Sequence, residues 1–498
     1  MVPPFHTPLS EVPLQDLYNA LESCIVPSSS SDVTFSNWAR TFFCKPLIVF
    51  EPEDDYQCEL ILEIARREEK TVRAVGVGHS PSDLACTKEF MLRTRKLNRV
   101  LKVDVEKRRV VAQGGITLND LHIELAKHGL AMINVGSISD QTLAGIVTTA
   151  THGSGIEYGV MSTHVLSLTL LLANGSYAYC SREEKSDLFM ASICGLGSTG
   201  FITSVELEVE PAFRLKEVQR SRSFEETMVD LEKVVHSAEH VRFYWFPAAD
   251  TIRESVLNRT HEDKLLPYSW FWDTFLGYHA VQFMLFVGRY WPSANNWTTR
   301  FAAWLVSSNS VSIDDSYRIF NFECRVSQSA APIPINLTPP QYHQYTTEWA
   351  IPLSNAEACL RDLRTWWTQE LKDPRGLRPH FPVEIRFSAA DDIWLSPSNG
   401  QKTCWIGIVQ YKPYGFAVPY RKLFEGFERI LSSHQGRPHW AKAHRFRPED
   451  LRRAYSRFDS FVNVLDEVDP KGVFRNEYIN RHIFGHPVDA RVHKLRAQ

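Results

Sequence analysis

The chain has little excess charge of either sign: 55 Lys and Arg against 58 Asp and Glu leave a formal net charge of -3 over 498 residues. A nucleic-acid partner therefore has no electrostatic support. Cysteine is sparse and scattered. None of Cys24, Cys44, Cys58, Cys86, Cys180, Cys194, Cys324, Cys359 and Cys404 belongs to a C-x-x-C pair. Neither a grouped zinc set nor a disulfide framework is expected, so no metal is, and an intracellular, reducing compartment fits. The start of the chain reaches its first Arg only at Arg40 and has no basic segment ahead of an apolar run. Neither a secretory leader nor a transit peptide is expected, and the final Arg-Ala-Gln matches no peroxisomal address. Internal repeats are also missing.

What is present describes a folded protein of two or three domains. Hydrophobic residues make up 44% and charged residues 23% of the chain, an ordinary globular balance. After a polar stretch at 28–32, residues 46–70 read as strand, turn and helix, with Glu53, Asp54 and Asp55 where a helix dipole favours acids. A β-branched strand at 71–75 runs into Gly76-Val77-Gly78-His79-Ser80. A hairpin pattern at 100–113, an amphipathic helix at 118–128 and strands at 165–172, 177–180 and 201–209 follow. Asn174-Gly175 supplies a hairpin turn. A second region begins near Phe213, with a helical pattern at 223–238 and strands around 240–246. The expected division is an N-terminal extension 1–33, a first domain 34–212, a second domain 213–431 with an apolar belt at 265–306, a C-terminal segment 432–485 and a tail 486–498.

The glycine loop invites a dinucleotide reading that its own residues limit. Two glycines let backbone approach a pyrophosphate closely. The third glycine of G-x-G-x-x-G is replaced by Pro81, and Leu97, Asn98 and Arg99 stand where a ribose-binding acid is needed, which excludes a Rossmann NAD site. Alone, His79 would be read as capping a turn. A second crowd of small residues runs from Val135-Gly136-Ser137-Ile138 through Gly145 to Ala150-Thr151-His152-Gly153-Ser154-Gly155, and a third is Gly195-Leu196-Gly197-Ser198-Thr199-Gly200. Such stretches suit backbone packed on a flat ring, or a buried turn in a tight sheet. Farther on, Pro382-Val383-Glu384-Ile385-Arg386-Phe387 alternates as a strand does, placing Glu384 and Arg386 on one face. On the residues alone a surface ion pair is the favoured reading. His439-Trp440-Ala441-Lys442 is the most specific short motif.

Together these motifs resemble the vanillyl-alcohol oxidase flavoprotein superfamily, and within it the aldonolactone oxidase branch. The segment Asp469-Pro470-Lys471-Gly472-Val473-Phe474-Arg475-Asn476-Glu477-Tyr478 extends the likeness, which runs from about residue 37 to 481. It implies an α+β, two-domain flavoprotein with an FAD-binding domain and an α+β substrate (cap) domain. It implies FAD bound covalently through His79, in a loop of Gly76, Val77, Gly78, Ser80, Ser82 and Asp83. Gly136, Ser137, Gly145, Thr149, His152, Gly153 and Ser154 would form a second FAD segment, with Gly200 and Ile202 on the adenine side. His152 is the rival to His79 for attachment. The likeness also implies oxidation of an aldono-1,4-lactone, such as D-arabinono-1,4-lactone, at C2, giving an erythroascorbate-type product. Glu384 would take the hydroxyl proton, Arg386 and Lys442 would stabilise developing negative charge, and His439 would orient the lactone. A glycine at Gly136 leans towards O2 as acceptor with H2O2 released, although a tight turn accounts for it equally. The alternatives are a lactone dehydrogenase using cytochrome c and a flavin-binding membrane protein without turnover.

The apolar belt leaves two readings open. Its stretch 274–288, interrupted by His279 and Gln282, is shorter than the ~20 residues a spanning helix needs. Trp270, Trp272, Tyr290 and Trp291 flank it, as at a membrane interface. It is either a core helix of the second domain or a membrane-resting face. The resemblance implies association with an intracellular membrane, the mitochondrial one being expected.

Overall fold

In the computed structural model, residues 5, 7–267, 269–320, 343–487, 489 and 493–494 are described. The first half of the chain forms a three-stranded and a five-stranded sheet, with two short two-stranded pairs and helices between and around them. Strands Ile48–Phe50, Phe90–Arg93 and Val72–Val75 make a parallel three-stranded sheet with the second strand in the middle. The crossover from the first strand is helix Asp55–Arg67. Asp54 caps it by accepting from the Gln57 N–H at 2.9 Å, which satisfies an orphan amide of the first turn. Leu60, Ile61, Ile64 and Ala65 form its buried face, as their spacing predicts. The preceding residues are no loose extension. Helix Leu14–Ala20 packs against this face, and Val12, Leu17 and Leu21 join its core.

The second sheet of this half is antiparallel, in the order Tyr177–Ser181, Val165–Leu171, Phe201–Glu208, Arg109–Gln113, Val100–Asp104. The Asn174-Gly175 turn closes its first hairpin, with Gly175 at φ +86°. Helices Pro448–Ala454, Phe458–Val468 and Glu477–His482 return to this half. Phe458, Phe461, Leu465, Tyr478 and Ile479 share a core with Leu168, Phe189 and Leu196.

Between these passages the chain builds an eight-stranded antiparallel sheet, in the order Ser310–Asp315, Arg214–Ser223, Thr251–Thr260, His240–Phe246, Val383–Ser388, Thr403–Tyr411, Gln344–Pro352, Arg437–Pro438. Helices Leu353–Lys372 and Arg421–Ser433 cover one face, where Val383, Ile385, Phe387, Cys404, Ile406 and Ile408 meet Leu360, Leu363, Trp367, Phe427 and Leu431. Because side chains alternate along a strand, Glu384 and Arg386 point to the other face. The reading that opened this region on a helix misses strand Arg214–Ser223, and Thr251–Thr260 is a second ten-residue strand without a sequence signal. All eight described cysteines are buried and unbridged.

Candidate active site

The uncovered face of the eight-stranded sheet forms the floor of a deep cavity, and the register of three strands sets its polar groups. Gly407 is the direct partner of Glu348 on one side and of Glu384 on the other. The two carboxylates therefore share a row with a glycine between them, two strand spacings or ~10 Å apart along the backbone. Gln344, Thr346, Glu348, Gly407, Val409, Glu384 and Arg386 all line the cavity from this floor. His439, Ala441 and Lys442 enter beside the edge strand, the His439 amide donating to the Glu348 carbonyl at 3.0 Å.

The opposite wall is the first half's small-residue backbone. Gly76, Val77, Gly78, His79, Ser80, Gly136, Ser137, Gly145, Thr149 and His152 all line it. Gly76 is there because nothing larger fits: a Cβ would stand 2.3 Å from the Thr142 hydroxyl oxygen. Gly78 adopts φ +74° against the Phe35 ring, a left-handed conformation that side chains resist. The next residue, His79, has its ring stacked on Trp38 at 4.7 Å and 19°. Its Nε2 is buried and has no hydrogen-bond partner among the described residues. Burial, and then the Lys442 charge, push its pKa down to about 4. A neutral imidazole with an unmet buried nitrogen is costly by ~1–3 kcal/mol unless a ligand meets it.

The charged side chains pair across the floor. The Arg386 Nε donates to Glu384 Oε1 at 2.9 Å, and its Nη2 reaches both Glu384 and the Ser137 hydroxyl on the opposite wall. Lys442 Nζ lies 3.4 Å from Glu348 Oε2. Burial alone would raise the Glu348 carboxyl, but the Lys442 and His152 charges outweigh it and hold the group well below its ordinary range. His152 Nε2 meets Glu348 Oε1 at 3.1 Å, its Nδ1 lies 3.1 Å from the Gly153 carbonyl oxygen, and its ring stacks on Trp405 at 3.8 Å. Both His152 nitrogens are thus engaged, whereas His79 Nε2 has no partner among the described residues. His439 Nδ1 accepts from the Ala441 N–H at 3.1 Å. Burial, then Lys442, keeps this ring well below the usual imidazole pKa, hence neutral.

Six residues expected at the cofactor do not line the cavity. Asp83 instead receives two bonds from the buried Arg481 guanidinium at 2.8 and 2.9 Å, and the Ser82 hydroxyl accepts from the Leu84 N–H at 3.4 Å. Gly153 packs against Asn134, whose side-chain amide donates to the Ser154 carbonyl at 3.2 Å. Gly200 and Ile202 lie at the start of strand Phe201–Glu208. Sequence reasoning overlooked Trp38, Gln344, Thr346, Glu348, Trp405 and Gly407. A two-residue alternation at 344, 346 and 348 was the available signal, but nothing local marks which face it serves.

A glycine-lined wall with an unmet histidine, facing a sheet that presents paired charges, defines a two-domain flavoprotein. A family model described as an FAD binding domain matches residues 46–181, and the cavity's glycine wall, too close for side chains, fits that cofactor. The fold is that of cholesterol oxidase from B. sterolicum, with a TM-score of 0.73 over 92% of this chain and 99% of that one at 17% identity. More narrowly, a family model described as D-arabinono-1,4-lactone oxidase matches residues 205–482, and the chain belongs to that family. It is 37% identical to L-gulonolactone oxidase of Scyliorhinus torazame, over 90% of this chain and 98% of that one. It is 32% identical, with the same coverage, to L-gulono-1,4-lactone dehydrogenase of Mycobacterium tuberculosis.

Proposed function

We propose that this protein oxidises an aldono-1,4-lactone, D-arabinono-1,4-lactone or a close isomer, at C2, with O2 as acceptor and H2O2 as second product. The observation that carries this reading is the opposition of Glu384, Arg386 and Lys442 to the His79 wall across one cavity. Bound FAD supplies the hydride acceptor. The chain's own residues do the rest. The Glu384 carboxylate accepts the proton of the lactone hydroxyl, a general-base contribution of ~10²–10⁴-fold. Arg386 holds that carboxylate in place, and with Lys442 it opposes the negative charge that develops on the oxygen as the hydroxyl proton is lost. The neutral His439 Nε2–H is free to orient the lactone. His79, held neutral and clamped by Trp38, offers Nε2 for covalent attachment of the flavin.

The test is direct. Purified protein should give a yellow pellet on acid precipitation, and H79A a colourless one. Glu384→Ala should keep its flavin but lose ~10²-fold or more of its lactone turnover. A wild-type pellet without colour would overturn the attachment; full turnover in E384A would overturn the assignment of the base. The second reading is a dehydrogenase, favoured by the Mycobacterium tuberculosis relative's name. Rapid cytochrome c reduction without peroxide release would establish it.

The same reading places the protein in the cell interior at a membrane, the mitochondrial one by family resemblance. Its support is the belt: Trp270, Phe271, Trp272, Tyr290, Trp291, Trp297 and Trp304 are all exposed on one helical unit. Among the described residues no helix is long and apolar enough to cross a membrane; the contact proposed is docking through this exposed aromatic face.

A further inference from the structure

We propose that Glu348 is a positioning residue for the oxidation, holding the Lys442 ammonium with one carboxylate oxygen and keeping His152 as an imidazolium with the other. The inference rests on the role given above to Lys442.

The protonation of His152 follows from what surrounds it. Its Nδ1 is 3.1 Å from the Gly153 carbonyl oxygen, which can only accept. Its Nε2 is 3.1 Å from a Glu348 carboxylate oxygen, which when ionised also only accepts. Both ring nitrogens must therefore donate, and a neutral imidazole has one donor only. The Trp405 face stacked on the ring at 3.8 Å suits a cation. The other groups around this pair are His439, tilted against His152 at 5.7 Å, together with Lys442 and Arg386. None of these supplies a second negative charge.

The charge count then has a catalytic meaning. Glu384 offsets Arg386, and Glu348 offsets Lys442. His79 and His439 are neutral, so the His152 imidazolium and the buried Arg73 guanidinium on the opposite wall leave the cavity with two net positive charges. Those charges are fixed before reaction and favour any transition state that gathers negative charge over the floor. Glu348 sits a whole strand away from Glu384, with Gly407 between. It reaches the reacting lactone through Lys442 rather than as a base. A Lys side chain has four flexible bonds, and an anchored ammonium avoids the loss of ~10²-fold that a misplacement near 1 Å can cause.

The experiment compares the Glu348→Gln, Lys442→Met and double-variant holoenzymes. E348Q should lower kcat by ~10²-fold with KM within about threefold, and the double variant should be little worse than K442M, because the two residues act as one unit. The kcat of E348Q should rise as pH falls, unlike that of the wild type. E348D should recover part of the loss. Nitrogen NMR of ¹⁵N-histidine-labelled protein, with His152 assigned through H152N, should show an imidazolium at pH 7.5 in the wild type and a neutral ring in E348Q. A neutral His152 in the wild type, an E348Q of wild-type kcat, or losses that add in full would each overturn the proposal. If K442M itself is fully active, the role of Lys442 in the proposed function fails; if K442M is impaired and E348Q is not, this inference alone fails. Should E348Q not accumulate as holoenzyme, the wild-type NMR and the E348D profile decide the matter.

Discussion

Gly136 shows how much a single hydrogen in place of a methyl can decide. It faces the cavity, and a Cβ there would lie 3.3 Å from Thr151 Cγ2 and 3.4 Å from the His152 carbonyl oxygen. An alanine would fit with a shift of a few tenths of an ångström, narrowing the wall without closing it. Crowding of 1–3 kcal/mol translates into about tenfold in rate or more. Gly136→Ala is therefore expected to cut lactone-driven peroxide release by ~10-fold while turnover with an artificial dye acceptor stays within about twofold. Equal losses with both acceptors would remove Gly136 from the path of dioxygen. Gly136, His79, Glu384, Arg386 and Lys442 were legible in the sequence because each sits in a short run that resembles a motif of the flavoprotein family. Glu348 and Trp38 were not. Glu348 stands in an ordinary alternating strand and becomes chemical only when the sheet's register sets it in line with Gly407. Trp38 matters because its backbone N–H reaches the Gly78 carbonyl at 2.9 Å and its ring lies on His79, contacts made across some forty residues of chain.

At the scale of elements, the same logic explains what the reading of strands missed. Arg214–Ser223 and Thr251–Thr260 carry Arg, Glu and Ser where a strand is expected to carry apolar residues. The structure buries their carboxylates and answers each with arginine. Arg242 donates to Glu217 at 2.8 Å, and Glu254 accepts from Arg220 at 2.6 Å and Arg222 at 3.3 Å. A charged strand is stable when its neighbours in the sheet answer it, and no local pattern announces that answer. The apolar belt is the reverse case. A π-helical stretch Trp270–Ala280 runs into helix Val281–Gly288, and Ala294–Leu305 lies against it. Val281, Leu285, Ala302 and Ala303 pack on Tyr244, Phe246 and Phe381, so one face is core, as one of the two open readings had it. The other face keeps its aromatics in solvent, with Tyr290 75% and Trp270 60% exposed. An exposed aromatic face of this breadth marks an interaction surface. Replacing Trp270, Trp291 and Trp304 together by Ser should reduce co-sedimentation with phospholipid vesicles by at least ~10-fold, since each buried indole is worth ~1.5–3 kcal/mol. Lactone turnover in detergent should be unchanged, because none of the belt's described residues lines the cavity. Undiminished vesicle binding would exclude this face.

The whole molecule answers to pH through buried histidines, most of them far from any chemistry. Burial drives His122, His380 and His482 down to about 3 and His240 to about 4. Each is neutral in the folded protein across the range where an unfolded chain, at about 6.5, takes up a proton. Between those values the unfolded state binds more protons than the folded one, so stability rises with pH and falls as pH drops below about 6.5. Two acids act against this. Burial raises Asp391 to about 6 and Glu428 to about 7, so the folded state holds protons there that the unfolded chain has released. Their contribution is present at low pH and is lost as pH rises through 6 to 7. His439 and His444, whose rings burial also keeps neutral, add to the bases, so six bases outnumber two acids, which leaves a surplus of about four protons on the unfolded side near pH 5, or on the order of 5 kcal/mol per pH unit. The thermal midpoint of the holoenzyme is therefore expected to fall by ~5–10 °C from pH 7 to pH 5 at constant ionic strength. The slope should weaken when His122 and His380 are replaced by Asn or Gln, because the groups that titrate in the unfolded chain are then gone. A midpoint that is flat or rising over that interval would mean that these rings gain protons without unfolding, and that the cores around them open more readily than their burial implies.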